Sequence, residues 1–133
     1  MHHTRIVTSF LSNQEKYLIL KRSENVKSMK GLWGGVSGII EGNEEPLTRA
    51  KIEIFEETGM DENNIVLTRT AGQMQVTSQY SNHSWIIHPF LFTVMESKIK
   101  LNWENSEYRW IEPVELSNFK IVPSLDKVLA RLL

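Results

Sequence analysis

Residues 38 to 60 read GIIEGNEEPLTRAKIEIFEETGM, from Gly38 to Met60, and set three glutamates, Glu53, Glu56 and Glu57, at helical spacing just ahead of Gly59. Pro46 suits the first turn of a helix and Gly59 its C-terminal stop, so the pattern predicts a helix over 46–58. Leu47, Ala50 and Ile54 fall on its apolar side, and Ile52 and Phe55 are expected to be buried as well, which implies a helix packed between two layers. Glutamates three and four apart share a helix face and repel by about 0.2–0.5 kcal/mol per pair unless a cation lies among them. They also occupy the last turns, where the helix dipole disfavours each acid by roughly 0.3–1 kcal/mol. Charge placed against both rules suggests a site, although a solvated acidic face is the competing reading. Mg2+ and Mn2+ take oxygen ligands and are usually held by one or two carboxylates together with substrate phosphates. A metal-binding helix face therefore predicts a phosphate-bearing substrate.

The same stretch resembles the Nudix box, G-x5-E-x7-R-E-U-x-E-E-x-G-U with U aliphatic. Gly38, Glu44, Glu53, Ile54, Glu56, Glu57, Gly59 and Met60 all fall in register. One defined position departs, because Ile52 stands where the family has an arginine that braces the acidic cluster. Arg49 lies four residues before Glu53 and reaches it across one helical turn, which makes it the candidate replacement; the alternative is an ordinary surface arginine.

Composition sets the frame. A chain of 133 residues with 41% hydrophobic and 23% charged residues fits one globular domain with a single core. A net charge of -1 gives no general pull toward bulk nucleic acid or an anionic membrane, so any polyanion must be recognised locally. The absence of cysteine excludes disulfides and thiolate metal sites. The longest apolar run, 85–95, is broken by His88 and Pro89 and is too short to span a bilayer. Residues 1–4 run straight into a strand pattern with no secretion signal, so the expected location is cytoplasmic. His2 and His3 are assigned no function.

Outward from the box, 5–11 and 16–22 read as two strands around a polar turn at 12–15, a hairpin pattern. Residues 23–31 form a polar loop carrying Lys27 and Lys30, ahead of a short apolar piece at 32–36. Two long strands at 65–78 and 85–96 flank a turn at 80–84, and 108–111 reads as a further short strand. Leu125, Val128, Leu129 and Leu132 recur at helical spacing, so 123–132 is expected to close the chain as an amphipathic helix. This order resembles the Nudix α/β/α sandwich, an α/β fold with a mixed central sheet, over almost the entire chain.

What the resemblance implies is hydrolysis of a nucleoside diphosphate linked to another moiety, by water attacking a phosphorus of the pyrophosphate, with Mg2+ (or Mn2+) as cofactor. Glu56 and Glu57 would be metal ligands and Glu53 a ligand directly or through water, with a backbone carbonyl at Ser37 or Gly38 adding to them. Glu44 would be structural, capping amides at the helix start. The family often takes a base or extra ligand from a loop shortly before a strand tryptophan, which here points to Glu104, with Glu107 as the alternate. Arg22, closing the second strand, is the expected phosphate contact, since guanidinium forks match phosphate oxygens; Lys30 and Lys27 are weaker candidates. Trp33 and Trp110 correspond to core positions, whereas Trp103 and Tyr80 lie beside loops and are candidates to stack on a base. His83 and His88 have no partners at ligand spacing and are expected in surface or satisfied-core roles. The substrate is expected to be a small nucleoside diphosphate derivative, and small Nudix domains often dimerise. Residues that mark particular substrates in the family are absent at Gln75, Val76, Thr77 and Ser78, so the resemblance implies the reaction and not the nucleotide. A domain of this fold that binds nucleotides with little or no catalysis is the alternative, motivated by Ile52.

Overall fold

The computed structural model describes residues 2–77 and 82–133. The strands β1 (His2–Asn13) and β2 (Lys16–Arg22) form the expected hairpin. Gln14 and Glu15 close it with φ of 50° and 66°, the left-handed pair that a tight hairpin turn requires. The apolar piece that follows divides into β3 (Trp33–Gly34) and β4 (Val36–Ile39). The helix α1 (Pro46–Thr58) has the predicted bounds, with proline in its first turn and Gly59 in the left-handed region at φ 79° donating its N–H to the Phe55 carbonyl.

The single strand expected over 65–78 is two, β5 (Ile65–Thr70) and β6 (Met74–Thr77), both antiparallel to β7 (His83–Val94). The break falls opposite Pro89, which has no N–H to continue the ladder; only its carbonyl is used, by the Ala71 amide. Residue 78 of that expected strand, part of the turn at 80–84 and the stacking candidate Tyr80 lie outside the described residues. The strand β8 (Asn105–Ile111) begins before the expected 108 and pairs with β2 from Tyr17↔Ile111 to Arg22↔Asn105. Among the described residues it pairs with no other strand, and its exposed edge carries the polar residues that masked it in the sequence. A short 3-10 segment (Pro113–Asn118) precedes α2 (Leu125–Leu132), which starts after Ser124 because that residue sits at φ 69°, outside helical backbone.

The sheet is mixed. Its strand β1 runs parallel to β7, as at Thr4↔Trp85 and Phe10↔Leu91, and antiparallel to β4 and β2 on its other edge. Alternation along the strands sends side chains to opposite faces. Val7, Leu11, Leu18, Leu20, Phe90, Phe92 and Val94 meet Ala50 and Ile54 of α1. Phe10, Ile19, Ile87 and Leu91 meet Leu125, Val128, Leu129 and Leu132 of α2. The sheet thus divides the expected single core into two layers, and each fully buried Leu, Ile or Phe contributes about 1.5–3 kcal/mol.

One expectation for α1 fails. Ile52 is 37% and Phe55 57% exposed, because the sheet covers only the face bearing Ala50, Glu53, Ile54 and Glu57 and no element among the described residues packs on the other. Trp33 occupies its expected core position against Phe119. Trp110 is half-buried against the α1 layer and donates its indole N–H to the Ser97 carbonyl at 2.7 Å.

Candidate active site

The face of α1 that meets the sheet carries the two glutamates Glu53 and Glu57 along with its apolar residues, and both are buried. Beneath Glu53 lies Gly38 of β4. A methyl group there would overlap the Glu53 carboxyl, so the glycine is the condition for the acid to sit against the sheet.

A third carboxylate arrives from the connection between β7 and β8. That connection is pinned at the end of α1, where the Lys100 amide donates to the Thr58 carbonyl at 3.0 Å. It is pinned again at the end of β2, where the Ser23 hydroxyl donates to the Trp103 carbonyl at 2.7 Å and the Ser23 amide to the Glu104 carbonyl at 2.8 Å. Asn102 grips Glu104 from both sides, its carbonyl accepting from the Glu104 amide and its amide donating to Oε1. Glu53, Glu57 and Glu104 thereby each offer an oxygen within 4.8 Å of the others.

Three carboxylates this close cannot share a dry site as bare anions. Burial is the largest cause pushing the Glu57 carboxyl well above its ordinary value, followed by the charges of Glu104 and Glu53. Burial likewise raises Glu53, opposed by the closeness of Glu57 and the hydrogen bond from Arg49, with the charges of Glu56 and Glu104 adding to the rise. Asn105 donates to Glu57 Oε1 at 3.2 Å, whereas Oε2, fully buried, has no hydrogen-bond partner among the described residues. An orphaned buried carboxylate oxygen costs roughly 1–3 kcal/mol or more and calls for a proton or a cation.

Arg49 links the cluster to the turn ahead of α1. Its Nε and Nη2 hold Glu44 at 3.1 and 2.6 Å, and its Nη1 holds Glu53 Oε2 at 3.1 Å. Glu44 therefore serves Arg49 and the Glu41 amide, not the helix-start amides expected for it; the N-cap, Glu45, makes no side-chain cap either.

The remaining candidates separate. Glu107 lies on β8, paired with Lys21 at 3.3 Å and Arg109 at 3.2 Å, outside the carboxylate cluster; the strand that replaced the expected loop directs it there. Glu56 is exposed on the solvent side of α1, close enough for its charge to act on Glu53. Arg22 lines an apolar cleft on the α2 face of the sheet together with Ile6, Val76, Trp85 and Ile87, its Nε held by the Ser28 carbonyl at 3.1 Å. Lys30 is exposed and Trp103 is 64% exposed, and neither lines that cleft. His83 bonds Thr4 Oγ1 at 2.8 Å, while buried Nε2 of His88 is unpartnered among the described residues, and burial together with the Arg5 charge lowers that imidazole.

Cleft and cluster are connected through the strands between them. Ser37 lines the cleft and its neighbour Gly38 meets Glu53; Arg22 lines the cleft and its strand partner Asn105 holds Glu57. Asn105 and Trp85 were not singled out by sequence reasoning. The asparagines flanking Glu104 in the run Asn102–Trp103–Glu104–Asn105 were the available signal for the first, since such side chains fix loop backbone.

Relatives with this architecture are known. A MutT protein from Methanosarcina mazei Go1 superposes with a TM-score of 0.82 at 23% identity, covering 98% of this chain and 92% of its own. An Ap4A hydrolase from C. elegans, solved as a binary complex, gives 0.78 at 11% identity over 96% of this chain and 93% of that one. The NUDIX domain of Shewanella oneidensis NrtR, solved with ADP ribose, gives 0.78 at 14% identity over 98% and 86%. At these identities the likeness is one of fold. No curated protein matches the chain. The NUDIX domain family itself matches residues 1–132, the whole of the fold and site described above, and the chain belongs to the Nudix family.

Proposed function

We propose that this protein is a divalent-metal-dependent hydrolase that cleaves the pyrophosphate bond of a nucleoside diphosphate linked to another moiety. The observation that carries this reading is the buried Glu57 oxygen left without a donor inside a cluster of three carboxylates. The donor set, carboxylate oxygens without sulfur or imidazole, fits Mg2+ or Mn2+. Glu53 and Glu57 would hold the ion, with Glu56 on the solvent side and a backbone carbonyl at Gly38 as further ligands, leaving Glu104 beside them as the base. Once bound, it supplies positive charge that offsets the repulsion between phosphate oxygens and an incoming nucleophile.

The chain's own groups would do the rest. Arg22, which lines the cleft and pairs across strands with Asn105, would fix the phosphates with its guanidinium fork. The apolar walls around Trp85 would receive the nucleoside, the indole offering a face for the base. Water would attack phosphorus, its proton passing to the Glu104 carboxylate as the bond to the bridging oxygen breaks, giving a nucleoside monophosphate and the phosphorylated second moiety. Glu104→Gln is then expected to lower turnover by about 10²–10⁴-fold. Glu107→Gln, which disturbs only ion pairs with Lys21 and Arg109, is expected to stay within about twofold, as surface pairs contribute little. Equal losses in the two variants would refute the assignment of the base.

The experiment that tests the function is release of nucleoside monophosphate from a panel of nucleoside triphosphates, ADP-ribose, NADH, nucleotide sugars and dinucleoside polyphosphates, in Mg2+ and Mn2+. Turnover that needs metal supports it. A second reading, a domain that binds nucleotides without cleaving them, is favoured by Ile52 at the arginine position. It would give nucleotide-dependent thermal stabilisation with no product from any member of the panel.

A further inference from the structure

We infer that the cation bracing the acidic cluster has been transposed by one helical turn, so that Arg49 positions the metal-binding glutamates of this chain in place of an arginine at position 52. The inference rests on the hydrolase reading of the same site and concerns how that site is held.

Three of Arg49's N–H groups are spoken for by two carboxylates. Nε and Nη2 grip Glu44 as a fork, and Nη1 reaches forward along the helix to Glu53. The side chain is 16% exposed, so this is no solvated surface pair. Glu44 is anchored in turn, since its Oε1 accepts the Glu41 amide at 2.7 Å. A continuous chain thus runs from the Glu41 backbone through Glu44 and Arg49 to Glu53, joining the turn ahead of α1 to the acidic face in its middle.

The fork has a consequence for geometry. With Oε2 of Glu53 held by Arg49 and its carboxyl seated over Gly38, rotation of that group is restricted from two directions, and its second oxygen is left to serve the cluster. The permanent positive charge of the guanidinium, 3.1 Å from Glu53, offsets part of the repulsion among the three carboxylates. Ile52 is 37% exposed and carries no polar atom, so nothing at position 52 supplies this charge. A lysine at position 49 would provide charge without the planar fork and would hold one carboxylate at a time.

The test reads metal binding directly, as Mn2+ titrated by calorimetry and by its effect on melting temperature, with hydrolysis measured alongside. The variants are Arg49→Ala, Arg49→Lys and the double variant Arg49→Ala/Ile52→Arg; Arg49→Gln replaces the alanine variant should that one fail to fold. Loss of the brace is expected to weaken Mn2+ binding by about 10–100-fold, as for other groups that orient metal ligands. Arg49→Lys should recover only part of it. The double variant, which returns an arginine to position 52, should recover affinity to within a few-fold of wild type. Wild-type Mn2+ affinity in the single variant overturns the inference while the hydrolase reading stands, and so does a loss that the double variant leaves uncorrected. A wild-type protein that binds no Mn2+ at all removes both.

Discussion

In Glu57→Gln, hydrolysis is expected to fall by at least about 10³-fold, the loss of several kcal/mol of charge stabilisation, while the metal-free protein melts higher than wild type at pH 8. Stability and activity move in opposite directions because Glu57 is 4% exposed among like charges. Its carboxyl is raised by burial and then by Glu104 and Glu53. Between the ordinary glutamate value, about 4.3, and that raised value, the folded chain holds more protons than the unfolded one. Stability of the metal-free wild type therefore declines as pH rises through that window. Glutamine removes this dependence: its carbonyl can accept from Asn105 and its amide can donate to Glu53 or Glu104. A gain of about 1–2 kcal/mol corresponds to roughly 3–8 °C in a domain of this size. Added Mn2+ should then raise the melting temperature of wild type and leave the variant unmoved. A variant that melts below wild type at pH 8, or that keeps wild-type turnover, contradicts this account of the cluster.

Gly38→Ala carries the second large effect, and by a different route. The added methyl would overlap the Glu53 side chain, so that carboxyl must leave its seat between Gly38 and Arg49. Overpacking of this kind costs about 1–3 kcal/mol, and the flexible end of a glutamate can yield, so the fold is expected to survive. Activity should suffer more than stability, since a displacement of about 1 Å in a catalytic arrangement costs on the order of 10²-fold. Circular dichroism of a folded variant together with a fall in turnover of that order is the expected pair of results. Normal turnover would mean that Glu53 works from another position.

Much of the fold lay in local signals. Proline and glycine bounded α1, and the four leucine and valine positions of α2 recur at a period that depends on no distant partner. What the sequence hid depends on neighbours far along the chain. Periodicity places Ile52 and Phe55 on a helix side but cannot say that no layer covers it. The split between β5 and β6 is governed by Pro89 on another strand. Glu104 enters the cluster and Glu107 leaves it because β8 pairs with β2 in a register that shifts between Lys21 and Arg22. Asn105 matters through Glu57, 48 residues away, and no short motif encodes that pairing. The acidic face was legible for the opposite reason: its charges conflict with helix physics on their own stretch of chain.

The measurement that bears most directly on the metal site is an anomalous difference map from crystals of the protein grown with Mn2+. The expected result is one strong peak bounded by Glu53, Glu57 and Glu104, within about 2.0–2.3 Å of carboxylate oxygens and absent from crystals of Glu57→Gln. Crystals at saturating Mn2+ with no peak among those three carboxylates, or with a peak that persists in the variant, would contradict it.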